Sequence, residues 1–356
     1  MSLKVGLIGC GCIGQFHASQ YRDIGKDRVE MVACCDINAD RAKHFAEQYN
    51  IPNWYASKEE MLAAHKFDGV SVCTWNSAHK ECTIAALEAG ANVICEKPMA
   101  MNTAEGLEMQ AAAEKAGKLL MIGFVRRHGA DAATALDFIN KGYLGEIYYV
   151  KTNYIRRAGF PGHWFGDKRF SGGGPLIDLG VHMIDLSRYL LGNPKPVTVF
   201  GVTFDKLKNR PGLKSVVLPW APSEPSKNEE EYEFSVEDLV SAMVKFDNGA
   251  VLQVEASFSL NTDKEPCNVE LFGDKAGLTL SPFTIHGVYN DFLADINVHA
   301  NTGAGNMFRS EIENFLNAIE GTAPCIAPAE DGVELMRILD AIYESAATGK
   351  SVDIVR

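Results

Sequence analysis

No stretch of this chain reaches the roughly 18 uncharged apolar residues that a membrane-spanning helix needs, so a helical span is not expected. Positive charge is also scarce. Lys and Arg number 34 against 46 Asp and Glu, a formal net charge of -12, which repels phosphate backbones and anionic lipid and argues against nucleic acid or a membrane surface as partner. Proline is thin at 14 of 356 residues and the chain is 46% hydrophobic and 22% charged, so extended disorder is not expected. The opening run MSLKVGLIGCGCIG enters a strand pattern with no targeting signature, which leaves the cytoplasm as the expected compartment. Nine cysteines is an odd count, and Cys34, Cys35, Cys73 and Cys95 lie inside apolar runs, as reduced core residues do. Cys10 and Cys12 make a single C-x-C with no second cluster, so no metal is assigned. Repeats and low-complexity tracts are lacking as well.

What is present points to two domains and a small-molecule ligand. The first third alternates β-rich runs (4–8, 29–35, 69–73, 92–95 and 119–122) with helical patterns such as 40–49, 78–89 and 104–116. That rhythm predicts an α/β, doubly wound parallel sheet over residues 1–123. Residues 124–356 open with a helix near 130–139 and a strand near 147–154, then run strand after strand from 197 to about 280. This predicts an α+β domain with a large, mostly antiparallel sheet, closed by amphipathic helices at 309–319 and 332–346 that pack back on the body. The Pro- and Glu-rich stretch 209–231 reads as a surface excursion.

The run Gly9-Cys10-Gly11-Cys12-Ile13-Gly14 follows a predicted strand and opens a predicted helix. Glycines there let backbone approach a pyrophosphate at the positive end of a helix, the Rossmann arrangement for a dinucleotide. Asp36, ending the next strand, is placed to accept hydrogen bonds from the adenosine ribose and to repel a 2′-phosphate, so NAD is expected over NADP, with Arg41 nearby as the counter-argument. Thr74, Trp75 and His79 follow a sheet strand where such a fold presents loops to its cofactor; Thr74 and His79 fit a turn residue and a helix-start histidine equally well. Glu96 and Lys97 come at another strand end, where an ammonium can stabilise developing alkoxide charge; a surface lysine paired with Glu96 is the plainer alternative. In the second domain three glycines and Pro175 precede a predicted helix 176–191 carrying Asp178, His182 and Asp185 at i, i+4 and i+7. An aspartate one turn before a histidine can orient an imidazole that works as a general base, while a capping aspartate and a core histidine would give the same pattern. The glycine run shifts the balance toward function by letting a ligand or another chain come close, and Asp185 reads as structural.

Taken together, G-C-G-C-I-G at 9–14, E-K-P at 96–98 and G-G-G-P-L-I-D-L-G-V-H at 172–182 resemble the glucose-fructose oxidoreductase, inositol dehydrogenase and MocA family of oxidoreductases. The likeness spans nearly the whole chain, with T-W-N-S-A-H and G-F-V-R-R-H closest to the inositol dehydrogenase branch. It implies an NAD(P)-dependent dehydrogenase of a sugar or cyclic polyol, with Lys97 holding the reactive hydroxyl, His182 as acid/base and Asp178 on a neighbouring hydroxyl. It further implies a cis Lys97-Pro98 bond, substrate contacts from Arg127, Tyr154 and Arg156, and a homodimer or homotetramer. The inositol enzymes carry His and Asn where this chain has Tyr154 and Arg156, which puts myo-inositol in doubt. The basic run Arg156, Arg157, His163, Lys168 and Arg169 suits either an acidic sugar or a solvated loop. Two other classes share the fold: a glycosidase that uses NAD within its cycle, and a dinucleotide-sensing regulator that has lost catalysis.

Overall fold

A computed structural model describes residues 2–208, 232–299 and 306–355, so the predicted excursion at 209–231 lies outside the described residues. The chain divides into two compact units. The first comprises residues 1–128 and 306–333, the second 129–305 and 334–356. The boundary thus falls a few residues beyond the expected position 123, and a C-terminal segment joins the first unit.

The first unit runs β1 (Leu3–Ile8), α1 (Cys12–Ile24), β2 (Val29–Cys35), α2 (Ala39–Tyr49), β3 (Asn53–Tyr55), α3 (Lys58–Ala64), β4 (Gly69–Val72), α4 (His79–Glu88), β5 (Asn92–Glu96), α5 (Thr103–Ala116) and β6 (Leu120–Gly123). Its six strands pair in parallel in the order β3-β2-β1-β4-β5-β6, the doubly wound order whose reversal between β1 and β4 creates a crevice at the strand ends. β4 and β6 are buried at every position, because helices cover both faces and leave no solvent side for a polar alternation. The short β3 is the strand that periodicity misses, since three half-exposed residues carry no pattern.

The second unit contains α6 (Ala130–Asn140), β7 (Ile147–Ile155), α7 (Lys168–Ser171), α8 (Val181–Leu190), β8 (Pro196–Phe204), β9 (Leu239–Phe246), β10 (Val251–Ser257), β11 (Cys267–Gly273), β12 (Ala276–Thr279), β13 (Thr284–Tyr289) and β14 (Phe292–Asn297). The chain ends with α9 (Met307–Glu320), α10 (Ala329–Thr348) and β15 (Val352–Asp353). Nine strands order as β14-β13-β12-β11-β7-β10-β9-β8-β15, and only the β7–β10 pairing is parallel. β9 alternates buried and open positions along Leu-Val-Ser-Ala-Met-Val-Lys-Phe, the period-two signature of a sheet with one covered face. α8 packs on β7, β10 and β11 and covers that face.

α9 belongs to the first unit. Phe308 stacks on Phe16 at 4.8 Å between ring centroids, Phe315 is fully buried, and Arg28 reaches Asn317 at 2.6 Å and Glu320 at 3.0 Å. The segment before α10 then covers the open edge of β6, where the Ile122 amide donates to the Ala327 carbonyl at 2.9 Å, so this edge is not left to pair with another chain.

Candidate active site

In the first unit the glycine loop is shaped by its neighbours. A Cβ on Gly9, whose φ is +99°, would lie 2.5 Å from the Cys73 carbonyl oxygen, and one on Gly14 would lie 2.3 Å from the Gly9 oxygen. Those two glycines are needed by the protein's own backbone. Gly11 differs: no atom lies within 4 Å of its would-be Cβ, so its bareness serves something other than packing. It is the N-cap of α1, with no side-chain cap bond and no acidic residue in the first turn. By contrast the Asn38, Ser57, Asn102 and Asn306 side chains accept the first amides of α2, α3, α5 and α9. An uncapped helix start facing open space, with its partial positive charge unmatched, fits a diphosphate. Cys12 is exposed and Cys10 buried, while Ile13 is half-buried.

Asp36 closes the loop from the side. Its carboxylate accepts the Cys10 amide at 3.0 Å and the Asn38 amide at 2.9 Å, and Arg41 stands 3.6 Å away. The next residue, Ile37, is 80% exposed, an apolar surface beside the predicted ribose site that periodicity could not single out. Thr74 and Trp75 are half-buried on the loop after β4. His79 is a correction. It is wholly buried, with Nδ1 2.7 Å from the Pro98 carbonyl and Nε2 3.2 Å from the Thr74 carbonyl, and burial lowers its pKa. A neutral imidazole carries a single N–H, which donates to the nearer carbonyl, that of Pro98, and the wholly buried ring has no surface to offer a ligand.

Lys97 is the one residue between Val93 and Ala100 that is not buried. The Lys97-Pro98 bond is cis, as the resemblance implied. The Lys97 amide donates to Glu96 Oε2 at 3.2 Å, and Glu96 Oε1 lies 3.0 Å from His17 Nε2. Glu96 is therefore turned into the core, where it supports the lysine's backbone and is not its surface partner. Arg127 is a second correction. Its guanidinium is buried, 2.7 Å from Asp331 and 2.8 Å from the Ile326 carbonyl, with the Phe124 ring 5.1 Å beneath it. These contacts give it a framework role, and the expected substrate contact finds no support in them.

In the second unit the predicted helix 176–191 is not uniform. Leu176–Gly180 is a π-helical turn and α8 starts at Val181. A π turn widens the helix by one residue, so Asp178 and His182 do not stack as a plain i, i+4 pair. The turn packs against β10 and β7. Between Pro175 and Arg188 every residue is buried except Asp178 and His182; Asp185, read as structural, is 1% exposed. The glycines before the turn admit the protein's own side chains. A Cβ on Gly173 would collide with the Tyr343 hydroxyl, and one on Gly174 would lie 2.2 Å from the Glu237 carbonyl oxygen. The buried Glu237 carboxylate accepts the amides of Gly174 at 3.1 Å and Leu176 at 3.2 Å and the Tyr343 hydroxyl at 3.0 Å. Glu237 thus caps the π turn, and nothing near position 178 in the sequence announces it.

Tyr154 sits at the end of β7, on the strand face shared with the buried Val150 and Thr152. Arg156 donates to the Tyr154 hydroxyl at 3.2 Å and to the Gly159 carbonyl at 2.8 Å. Within the basic run one cation is matched by a carboxylate. Asp167 receives Arg169 at 2.9 Å and 2.5 Å, which holds its carboxyl down at about 2, and Lys168 lies over the Tyr343 ring.

A dinucleotide loop on a doubly wound sheet, in a chain whose α+β unit carries Asp178 on a π turn and His182 in the first turn of α8, defines the class: an oxidoreductase using a nicotinamide dinucleotide. Comparison with known proteins agrees. Residues 3–124 match the model of an oxidoreductase family, NAD-binding Rossmann fold, and residues 137–354 match that family's C-terminal alpha/beta domain. The chain belongs to the glucose-fructose oxidoreductase, inositol dehydrogenase and MocA family. A D-glucoside 3-dehydrogenase of Escherichia coli is 36% identical over 99% of this chain and 97% of its own. A myo-inositol 2-dehydrogenase of Thermotoga maritima is 29% identical over 53% of this chain and 55% of its own. A levoglucosan dehydrogenase solved in complex with NADH superposes with a TM-score of 0.84 at 25% identity, covering 100% of both chains. No described helix is long and apolar enough to cross a membrane.

Proposed function

We propose that this enzyme oxidises a ring hydroxyl of a sugar or cyclic polyol, a glucoside foremost, with NAD as hydride acceptor. The observation that carries the reading is that Lys97 is the one residue of 93–100, and Asp178 and His182 the two of 175–188, left partly open in stretches that are otherwise buried, as reactive groups must be. The relatives, named for glucoside, levoglucosan and inositol, supply the substrate class. The first-turn amides of α1, Asp36 and Ile37 would hold the dinucleotide, which when bound would supply the hydride acceptor. The chain's own residues do the rest: Lys97 donates a hydrogen bond to the reacting oxygen and stabilises alkoxide charge, His182 takes the hydroxyl proton, and Asp178 holds a neighbouring hydroxyl. The carbinol C–H leaves as hydride and the O–H proton as the acid of His182, so a ketone remains. NAD is preferred over NADP because Asp36 would face a 2′-phosphate and Arg41 is already drawn to that carboxylate.

The oligomeric reading rests on the open face of the nine-stranded sheet. There Phe200 and Met243 are cross-strand partners, each nearly half exposed, and an apolar patch of that kind suits a second copy of the chain. Purified enzyme should reduce NAD with glucosides or polyols and sediment as a dimer or larger. NAD binding without turnover on any of them would move the reading to the regulator, and glycoside cleavage without net NADH would move it to the glycosidase.

A further inference from the structure

The core of the first unit holds a cluster that the proposed chemistry does not use. His17 on α1, Glu96 at the end of β5 and Glu311 on α9 bring one ligand-type atom each within 4.8 Å of one another, and all three residues are buried. Two of them are fully engaged. Tyr21 donates to Ser71 Oγ at 2.8 Å, Ser71 to His17 Nδ1 at 3.1 Å, and His17 Nε2 to Glu96 Oε1 at 3.0 Å, an assignment that satisfies every member with a neutral imidazole. Glu96 Oε2 receives the Lys97 amide. Glu311 is engaged with nothing: it is 0% exposed, and among the described residues neither carboxyl oxygen has a hydrogen-bond partner.

Two carboxylates this close and this dry cannot both be charged. Glu96 has two donors that favour its anion, Glu311 has none, so the proton belongs on Glu311. We propose that Glu311 is a neutral carboxylic acid in a buried proton-sharing site with Glu96 and His17, and that it is a positioning residue for Lys97. By holding the proton it leaves Glu96 as the single charged carboxylate receiving both the Lys97 amide and the His17 ring. Desolvation, then Glu96, raises the pKa of Glu311 well above the ordinary range, in accord with this geometry. Tyr21 and Cys73 also face it, and both are neutral groups whose own pKa values are raised. The short turn 125–128 packed against α9 carries Arg126, Arg127 and His128, with Arg127 committed to Asp331. The link to Lys97 rests on the functional reading above; the protonation itself does not.

The sign follows from the raised value. A carboxyl with a higher pKa folded than unfolded stabilises the fold at low pH, and that contribution is lost as pH rises through the folded value. Wild-type enzyme should show the infrared carbonyl band of a protonated carboxyl that fades at alkaline pH together with kcat, and a melting temperature that declines from the ordinary carboxyl range up to that pH. In Glu311→Gln the band should vanish and both declines flatten; Glu311→Met serves if the amide variant fails to fold, and the wild-type band is read without any variant. Absence of the band, or its survival in the variants, overturns the proposal. So does a stoichiometric divalent metal whose chelation lowers the melting temperature, since the three residues would then be its ligands. A band that behaves as expected while the kcat profile stays unchanged in the variants overturns the positioning role. If no sugar is turned over at all, the dehydrogenase reading fails while infrared and melting data still decide the state of Glu311.

Discussion

The two units expose the side chains proposed to react in the same manner and by different means. Lys97 stands alone as the open residue of a buried strand end, and Asp178 with His182 are the two open residues of the buried stretch 175–188. In the first unit the work is local: glycines at 9, 11 and 14 and an uncapped helix start lie within a few residues of one another. In the second unit the site depends on a carboxylate 63 residues from the amide it caps. A backbone-built site announces itself in sequence; one built from distant side chains does not.

The largest test of this contrast removes the open groups themselves. Lys97→Met and His182→Ala should each lower turnover by about 10²–10⁴-fold, the usual reach of a positioned proton donor or acceptor, with melting temperatures held, because neither residue is buried. Wild-type rates from either would break the shared role. Next comes the glycine comparison. Gly11→Ala has free space for its methyl and an N-cap φ of -82°, so it should keep its melting temperature yet bind NAD roughly tenfold or more weakly, about 1.4 kcal/mol. Gly174→Ala should do the opposite first, losing about 1–3 kcal/mol of stability through overpacking. Calorimetry beside nucleotide titration separates the two.

Asp36→Asn should narrow the preference for NAD over NADP, read as a ratio of kcat/KM values, with a loosened loop because the same carboxylate holds the Cys10 and Asn38 amides. An unchanged ratio would leave Asp36 only its structural task. A smaller effect concerns pH. Burial, then Arg127, lowers His128 to about 4. As pH falls the unfolded chain takes up the proton first, from an ordinary value of about 6.5, so stability is whole above that and declines until about 4, by at most about 3 kcal/mol. His128→Gln should flatten that stretch of the acid melting curve. The smallest expected change is Arg169→Ala. Its guanidinium is largely exposed, so the loop should loosen with little change in global melting.

The chain's own order of residues determined the α/β alternation, the glycine loop, Asp36 at the strand end and the D-x-x-x-H of the second unit, since each arises from near-neighbour geometry and periodic burial. It did not show that the helix around Asp178 begins as a π turn, that His79 faces two carbonyls in the core, that Arg127 is bound to Asp331, or that Glu311 lies beside Glu96. Those depend on which residues, tens to hundreds of positions apart, come to share a dry interior. There the desolvation of a polar group, and whether a partner meets it, settle its role.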